Sequence, residues 1–461
     1  AYEYKVRVLA ADEPAVWVTT VDAQSGAILH RYNDLQTIQG SGNGVLGDKK
    51  AFEVVTGGAG FLMTDAAGGV QIRTYTAATQ QTTPGTQLSS ADVNTWDTGV
   101  IGAGAAVDAH FNAAAVFKYY KDKHARNAID GAGGAMISTV HFGSGYENAA
   151  WDGRGMIYGD GGTIFRALSV SLDVVGHEFT HGITQRTSGL VYENQSGALN
   201  EAISDIFAAF IEHAVKPDAV KNWVVAETVF LNGGALRNMR DPGAVQQPQP
   251  AHMNQYVNTQ QDNGGVHINS GIINNAAFLM TVGGVNPSSK VEVKYGIGWE
   301  KSEKLWYRAN TVYFKQTTNF GQAAQGLLQA AKDLGLTANE TAIIDCAFKA
   351  TGLAQGACAT LVDPQSVPAG GGSAPGTGAA AQPGSGTAGG ATGGEPASDD
   401  AADEGAPQGA ASVRLGMRRR QVVTETSSCS AGRGPAGGGP GLAALVGVVL
   451  ALGARLSRRR P

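Results

Sequence analysis

Residues 172–186, LDVVGHEFTHGITQR, place two histidines four positions apart within a pattern that predicts a helix. Residues four apart share one face of a helix, so His177 and His181 can bind one metal ion together. Glu178 projects beside them and can exchange a proton with a water. The alternative is a surface helix with ordinary histidines, but such a pentapeptide occurs by chance in only roughly one chain per hundred.

The segment after this helix offers a third candidate ligand. Residues 198–215 predict the next helix, and Glu201 lies on it 20 positions beyond His181. A catalytic zinc takes three protein ligands and keeps one position open. Asp205 follows Glu201 by one helical turn and could accept a hydrogen bond from a ligating imidazole. Both acids could instead face solvent, but their apolar neighbours place at least one at the edge of the core.

A third polar cluster, DNGGVHINSG at 262–271, predicts a loop that opens a helix. His267 alone would more often be an ordinary polar residue. With Asp262 five positions earlier, it could form an oriented pair that donates a hydrogen bond to an oxyanion.

Patterning outside these motifs predicts an α+β fold with a β-rich N-terminal half and a mainly helical C-terminal half. Short alternating runs dominate residues 40–171, with one helix expected at 106–122. Residues 172–361 turn helical, and further helices are predicted at 268–280, 298–312, 321–334 and 338–351.

Composition excludes several classes of protein. The 461 residues carry a formal net charge of −5 and three cysteines. Without a basic excess, nucleic-acid binding is disfavoured. Three cysteines exclude a disulfide-built scaffold and a four-cysteine zinc module. The chain starts with Ala1 and shows no signal peptide there, so we expect a piece of a longer precursor.

Several motifs in one order resemble the thermolysin family of zinc neutral endopeptidases. They are GVLGD at 44–48, VDAH at 107–110, NAAW at 148–151, YGDG at 158–161, DVVGHEFTHG at 173–182, GALNEAISD at 197–205 and the cluster at 262–271. The resemblance covers residues 40 to 361 approximately. It implies a β-rich domain at 40–171, a helical domain at 172–361, and a zinc site in the cleft between them.

The resemblance implies a catalytic role for each matching residue. One zinc ion would be bound by His177, His181 and Glu201. Glu178 would take a proton from the attacking water and pass it to the leaving amine. Tyr192 and His267 would stabilise the tetrahedral oxyanion. Asp262 would orient His267, and Asp205 would accept a hydrogen bond from a zinc-binding histidine.

Substrate-binding positions also match. Three residues would hold the peptide backbone, namely Asn148, Ala149 and Arg237. The apolar pocket after the scissile bond is matched by Phe165, Leu168, Val174 and Leu236. Because all four are large and apolar, a Leu or Phe on the primed side should fit. We expect polypeptide substrates and a monomeric enzyme.

The resemblance further implies calcium bound by acids near the zinc helices. Asp173, Glu212 and Glu227 match those positions. Asn222 and Val224 stand where members with two calcium ions carry acids, so we expect one Ca²⁺. The alternative is an exposed acidic cluster without metal.

Two other functions remain open. A zinc aminopeptidase also carries His-Glu-x-x-His and a distal Glu, but places that Glu one residue closer. Such enzymes carry Gly-Ala-Met-Glu-Asn, whereas Gly134-Ala-Met136 is followed here by Ile137-Ser138. A surface binding protein without activity is the other alternative, although every matched catalytic position is intact.

The flanks indicate processing and export. Residues 1–39 resemble the end of a pro-segment, a partner of the peptidase before activation, with cleavage expected in an exposed loop at 36–41. Cys346 and Cys358 could form a disulfide in an exported protein or remain free buried thiols.

The C-terminal flank predicts a disordered linker at 362–428, rich in Gly, Ala and Pro. Residues 429–461 combine Cys429, a short apolar run and a final Arg cluster, which resembles the sorting tail of myxobacterial surface proteins. A short membrane span or a fraying apolar tail are the alternatives. We therefore expect a protein that is secreted or displayed at the cell surface and meets a membrane only through this tail.

Overall fold

The computed structural model describes residues 1–8, 15–33, 37–57, 60–66, 68–96 and 102–364. All but the first residues of the predicted linker, and the whole predicted tail with Cys429, lie outside these ranges. Within them, no helix combines the length and apolar character needed to cross a membrane.

Strands dominate the first part of the chain, as the alternating pattern predicts. In chain order they are β1 Tyr2–Val8, β2 Ala15–Val21, β3 Ile28–Asn33, β4 Thr37–Asn43, β5 Lys49–Gly57, β6 Gly60–Leu62, β7 Thr64–Asp65, β8 Ile72–Thr76, β9 Thr86–Gln87, β10 Ser89–Ser90, β11 Met136–Val140, β12 Ala149–Trp151 and β13 Met156–Tyr158. Two antiparallel pairs of short strands follow among the helices, namely β14 Val224–Val225 with β15 Arg237–Asn238, and β16 Gly284–Val285 with β17 Glu292–Val293.

The strands form separate sheets. The first has the order β1-β2-β3, and the second β10-β6-β5-β4. The third has the order β12-β13-β11-β8-β7, with β9 paired to β8. In the described ranges β12 pairs only with β13, antiparallel, so β12 is an edge strand. Its other edge offers backbone groups to an extended chain.

The expected exposed loop at 36–41 is wrong for its described part. Residues 37–43 form β4 and pair with β5 along their whole length. The Ser41 N–H also donates to the Val93 carbonyl at 3.2 Å. A Cβ at Gly40 would lie 2.7 Å from that carbonyl oxygen, so this glycine allows a close approach rather than a loop.

Within the described ranges, seven α-helices follow the predicted positions closely. They are α1 Gly104–His124, α2 Leu172–Gln185, α3 Asn194–Val215, α4 Asp262–Val282, α5 Trp299–Arg308, α6 Phe320–Asp333 and α7 Ala338–Thr351. Capping boxes fix two starts, with Asn319 and Gln322 at α6 and Thr337 and Glu340 at α7. The predicted helix 298–312 is α5 continued by a π-helix, Ala309–Tyr313.

Helix α3 lies between α2 and α4 and positions both. Its residues Leu199, Ala202, Ile203 and Ile206 are fully buried, in one hydrophobic core that also includes Phe179 of α2. This close apolar packing fixes the position of α2 and α4, and of the polar residues on them, relative to α3. The fold is therefore α+β, with a β-rich N-terminal half and a helical C-terminal half, as predicted.

Cys346 and Cys358 form a disulfide. The bond joins α7 to the segment that follows it, and it decides between the two states that the sequence left open. Disulfides persist mainly in oxidising compartments.

Candidate active site

Helix α2 and helix α3 bring three side chains to one point. The Nε2 atoms of His177 and His181 lie 2.9 Å apart. The Glu201 carboxylate places Oε2 3.4 Å from His177 Nε2 and Oε1 3.3 Å from His181 Nε2. His177 and Glu201 are buried, and His181 is partly buried. Helical spacing on α2 and the packing of α3 against it produce this triangle.

The triangle fits a zinc ion. Zinc bonds of about 2.05 Å in tetrahedral geometry put neighbouring ligand atoms about 3.3 Å apart, close to the three observed separations. Two imidazoles and one carboxylate are also a donor set that zinc accepts in catalytic sites. Within the described residues, only His177, His181 and Glu201 offer three such ligand atoms within 4.8 Å of one another.

The electrostatics of the triangle also suit a cation. Burial lowers the pKa of His177, but the Asp205 and Glu201 carboxylates more than compensate and raise it to about 10. Burial likewise opposes ionisation of Glu201, yet His267 and His181 hold the pKa of its carboxyl well below the usual range. Carboxylates therefore dominate the potential at the imidazoles.

Outer contacts orient the two imidazoles. His177 Nδ1 lies 2.9 Å from Asp205 Oδ1. The other Asp205 oxygen pairs with Arg237 Nε at 2.7 Å and accepts from Asn274 Nδ2 at 2.8 Å. Asp205 and His177 are therefore neighbours. Arg237, predicted to hold the peptide backbone, forms an ion pair with Asp205 in this structure.

Asn200 holds the second imidazole and was missed by the sequence reading. Its Oδ1 lies 2.9 Å from His181 Nδ1, and its Nδ2 donates to the Leu190 carbonyl at 3.3 Å. Because Asn200 immediately precedes Glu201, its place on a buried helix face could have identified it. Gln249 and Asn274, which support His267 and Asp205, come from distant segments without a comparable signal.

Tyr192, His267 and Asp262 form a second group beside the triangle. The Tyr192 hydroxyl lies 3.1 Å from His267 Nε2 and also donates to Glu201. His267 Nδ1 lies 2.6 Å from Asp262 Oδ1, and the His267 backbone N–H donates to Asp262 Oδ2 at 2.8 Å. The predicted His–Asp pair is therefore present, and it adjoins a tyrosine.

The start of α4 makes this pairing possible. Residues Asp262, Asn263, Gly264 and Gly265 have φ of 53°, 47°, 83° and 78°, so regular helix geometry begins after them, as the loop prediction implies. Asp, Asn and Gly are the residues that tolerate the left-handed region. At Gly264 the φ of 83° would strain any other residue, and a Cβ would also lie 3.0 Å from the Asn194 backbone nitrogen.

Glu178 is the carboxylate without a partner. It is 7% exposed, and within the described residues it makes no hydrogen bond or ion pair. Burial and the Glu178 charge together raise the pKa of Tyr146 and of Tyr158. The Glu178 carboxylate therefore lies near Tyr146 and near Tyr158, the last residue of β13.

Several predicted substrate-binding residues lie on α2, which carries the two histidines, or on elements that contact it. Ala149 begins the edge strand β12, with Asn148 just before it, and both are half-buried. Phe165, Leu168 and Val174 are buried, whereas Leu236, next to Arg237, is half-buried. The Phe165 ring packs edge to face on Phe230 at 4.8 Å. Phe230 is an apolar neighbour of these positions that the sequence reading did not name.

The three acids matched to calcium interact without forming a tight cluster. Burial and the Asp173 charge raise the pKa of Glu212 to about 8 and that of Glu227 to about 7. Asp173 Oδ2 accepts from the Ala226 N–H at 2.5 Å, and Glu212 Oε2 accepts from Asn222 Nδ2 at 3.0 Å. Within the described ranges, their carboxylates do not approach as closely as the histidine triangle.

Comparisons with known proteins agree with this geometry. Residues 39–185 match the model of the thermolysin metallopeptidase catalytic domain, and residues 188–353 that of its alpha-helical domain. A bacillolysin from Brevibacillus brevis is 40% identical over 346 residues, which are 74% of this chain and 62% of that protein. A thermolysin from Alicyclobacillus acidocaldarius subsp. acidocaldarius is 39% identical over 376 residues, 77% of this chain and 66% of that protein.

A solved structure is similar as well. It is a precursor of protealysin, a metalloproteinase from Serratia proteamaculans, with a TM-score of 0.54 and 31% identity over 63% of this chain and 90% of that chain. The chain spans slightly less than two thirds of the two relatives above, 62% and 66% of their lengths. The motifs, the fold and these similarities together show that the chain belongs to the thermolysin family of metallopeptidases.

Proposed function

We propose that the protein is a zinc-dependent endopeptidase that hydrolyses internal peptide bonds. The observation that carries this proposal is the triangle of His177, His181 and Glu201, whose ligand atoms lie within 4.8 Å of one another. An unpartnered carboxylate, Glu178, follows the first of these ligands on the same helix. Two hydrogen-bond donors, Tyr192 and His267, meet at the edge of the triangle.

The residues divide the chemistry between them. When bound, zinc lowers the pKa of a water to about 7 and polarises a carbonyl oxygen. Glu178 accepts the proton of the attacking water and passes it to the leaving amine, which completes cleavage of the C–N bond. Its lack of a hydrogen-bond partner among the described residues leaves the carboxylate available for both transfers.

Tyr192 and His267 stabilise the developing oxyanion. The Tyr192 hydroxyl can rotate its proton toward the open side of the triangle. Asp262 accepts from His267 Nδ1 at 2.6 Å, and Nε2 donates toward the same side when the ring is protonated. Loss of one such donor typically costs about 10²–10³ in rate.

Substrate binding follows from the edge strand. An extended peptide would add to β12 at Asn148 and Ala149, which fixes its backbone without reading its sequence. Four apolar residues would receive the side chain after the scissile bond, namely Phe165, Leu168, Val174 and Leu236. We propose a preference for Leu or Phe at that position.

A blocked peptide with Leu or Phe after one internal bond tests the activity. The activated protein should cleave it, chelation should abolish cleavage, and zinc should restore it. Glu178→Gln should keep its zinc and lose about 10²–10⁴ in rate. Glu292→Gln, which changes an exposed carboxylate on β17, is the matched control and should retain full rate.

Other outcomes identify the alternative functions. Trimming of unblocked N-termini alone would support an aminopeptidase. Retained zinc without cleavage of any peptide would support a binding protein.

We further propose one calcium ion at Glu212 and Glu227 with Asp173 nearby. Burial and the charge of Asp173 raise the pKa of both carboxyls, and this outweighs the opposite effect of Lys216 on Glu212 and of Lys221 on Glu227. Hard cations with oxygen ligands suit such a group.

We also propose that the protein is exported. The disulfide between Cys346 and Cys358 supports this, because such bonds are rare in reducing compartments. Residues 1–39 would be the end of a pro-segment, and the tail from Cys429 would sort the protein to the cell surface.

A further inference from the structure

The loop that carries Tyr192 is hydrogen-bonded to a segment outside the active site. This loop, residues 186–193, joins α2 to α3. Its Val191 N–H donates to the Gln316 carbonyl at 2.9 Å, just after the π-helix. Ser188 in the same loop donates from Oγ to Asn310 Oδ1 at 2.7 Å, inside the π-helix. Both ends of one segment, 310–316, therefore hold the loop.

Asn310 also reaches the helix of the two histidines. Its Nδ2 donates to Thr184 Oγ1 at 3.2 Å, and Thr184 lies three positions after His181 on α2. Asn310 is 1% exposed and Thr184 is fully buried. One amide thus ties the metal-binding helix to the loop with Tyr192.

Burying a polar side chain at this position costs free energy unless its hydrogen bonds are satisfied. Asn310 falls on the buried face of α5 and the π-helix, where Trp306 and Ala309 are apolar. Removing it would leave the hydroxyls of Ser188 and Thr184 buried without a partner. Fully satisfied polar networks of this kind fix one arrangement of the elements they join. π-Helices occur frequently at functional sites.

We infer that Asn310 is a positioning residue, which sets the Tyr192 hydroxyl against the oxyanion through Ser188 and the loop. The inference rests on the oxyanion role proposed for Tyr192. Tyr192 lies only four positions after Ser188, so a shift of the loop moves its hydroxyl from His267 and Glu201. A hydrogen bond needed only in the transition state affects kcat far more than KM.

The near-isosteric variant Asn310→Leu tests this inference in the full, zinc-loaded chain. We expect kcat on the blocked peptide to fall about tenfold, with KM changed by less than about twofold. Thr311→Val is the matched control. It removes a hydroxyl from the same π-helix that bonds only its own helix, at the Tyr307 and Arg308 carbonyls, and should retain kcat.

A double-mutant cycle separates positioning from general loss of structure. If Asn310 acts through Tyr192, Asn310→Leu should lower kcat by less than about twofold further in a Tyr192→Phe background. Independent, multiplying effects of the two variants would overturn the inference, as would an unchanged kcat in Asn310→Leu. Ser188→Ala should reproduce the loss of kcat and serves as the second variant if Asn310→Leu does not fold.

Hydrogen exchange gives a readout that needs no activity. Amides of the loop 186–193 should exchange about tenfold faster in Asn310→Leu, while those of α7 keep their rates. Unchanged exchange in the loop would overturn the inference. A wild-type protein that cleaves no peptide would refute the proposed function instead, and loop exchange would still report on Asn310.

Discussion

The Nε2 atoms of His177 and His181 lie 2.9 Å apart, about the separation expected of two ligands of one zinc ion. Two neutral imidazole nitrogens facing each other at this distance repel unless a proton or a cation lies between them. The fold nevertheless holds both rings there, because Asp205 contacts Nδ1 of His177 and Asn200 contacts Nδ1 of His181. The ligand positions are thus preorganised by the protein.

Zinc content should depend on the third ligand. We expect one zinc per chain, and Glu201→Gln should weaken zinc binding at least about tenfold because a neutral amide replaces the carboxylate. Competition with a chromogenic chelator measures this affinity. Glu292→Gln should bind zinc normally. Equal affinity in wild type and Glu201→Gln would exclude Glu201 as a ligand.

The pair of Asp262 and His267 should affect turnover rather than binding. Asp262→Asn removes the carboxylate that holds His267 Nδ1, so we expect kcat to fall about tenfold with little change in KM. Steady-state kinetics on the blocked peptide measures both. Asp241→Asn, at an exposed carboxylate, is the control. A rise in KM with normal kcat would assign Asp262 to substrate binding.

The apolar pocket should set the preference on the primed side. Leu236→Ala removes one wall, so kcat/KM for a peptide with Leu there should fall about tenfold or more, and less for the larger Phe. Rates on paired Leu and Phe peptides give the ratio. Leu231→Ala changes a leucine that is 42% exposed and should leave the ratio unaltered. An unaltered ratio of the Leu and Phe rates in Leu236→Ala would show that Leu236 does not line the pocket.

Asn222 should decide how strongly stability depends on calcium. Its Nδ2 donates to Glu212 Oε2 at 3.0 Å, and Asn222→Asp would turn this bond into repulsion between carboxylates. Without calcium, we expect the free energy of unfolding to fall by about 1–3 kcal/mol, and millimolar calcium to restore it. Asn232→Asp adds the same charge at an exposed site. Denaturant unfolding with and without calcium measures the difference, and a loss that calcium does not reverse would contradict the proposed site.

Buried His110 should make the protein sensitive to acid. Burial lowers the pKa of His110 from 6.5 to about 4, with its ring nitrogens next to Thr74 Oγ1 and the Glu53 carbonyl. Between pH 6.5 and about pH 4, His110 is therefore protonated in the unfolded chain but neutral in the folded protein. The contribution of His110 to stability is complete above pH 6.5 and is lost as pH falls toward 4, by up to about 1.4 kcal/mol per pH unit.

His110→Gln should remove this contribution. The free energy of unfolding of the variant should vary less between pH 6.5 and pH 4.5 than that of wild type, as measured in urea. His124, whose pKa burial lowers to about 3, acts in the same direction and remains in the variant. His30→Gln, at an exposed histidine, is the control. Identical pH dependence of His110→Gln and wild type would contradict the prediction.

Much of the site could be predicted because its signals are local. The spacing of His177 and His181 and the turn from Glu201 to Asp205 follow from helix geometry. The left-handed start of α4 was visible in its Asp-Asn-Gly-Gly composition. The expected loop at 36–41 was wrong for the opposite reason, since Gly40 there makes a close contact with Val93 from a distant segment.

The sequence by itself determined the helices, the metal-binding pair and the family, because helical periodicity and motif spacing are properties of neighbouring residues. Only the tertiary structure decided which residues support them. Asn274 reaches Asp205 across 69 positions, and Asn310 reaches Ser188 across 122. Such contacts depend on how whole helices pack on a shared apolar core, and no local pattern encodes which polar side chain will meet another across it.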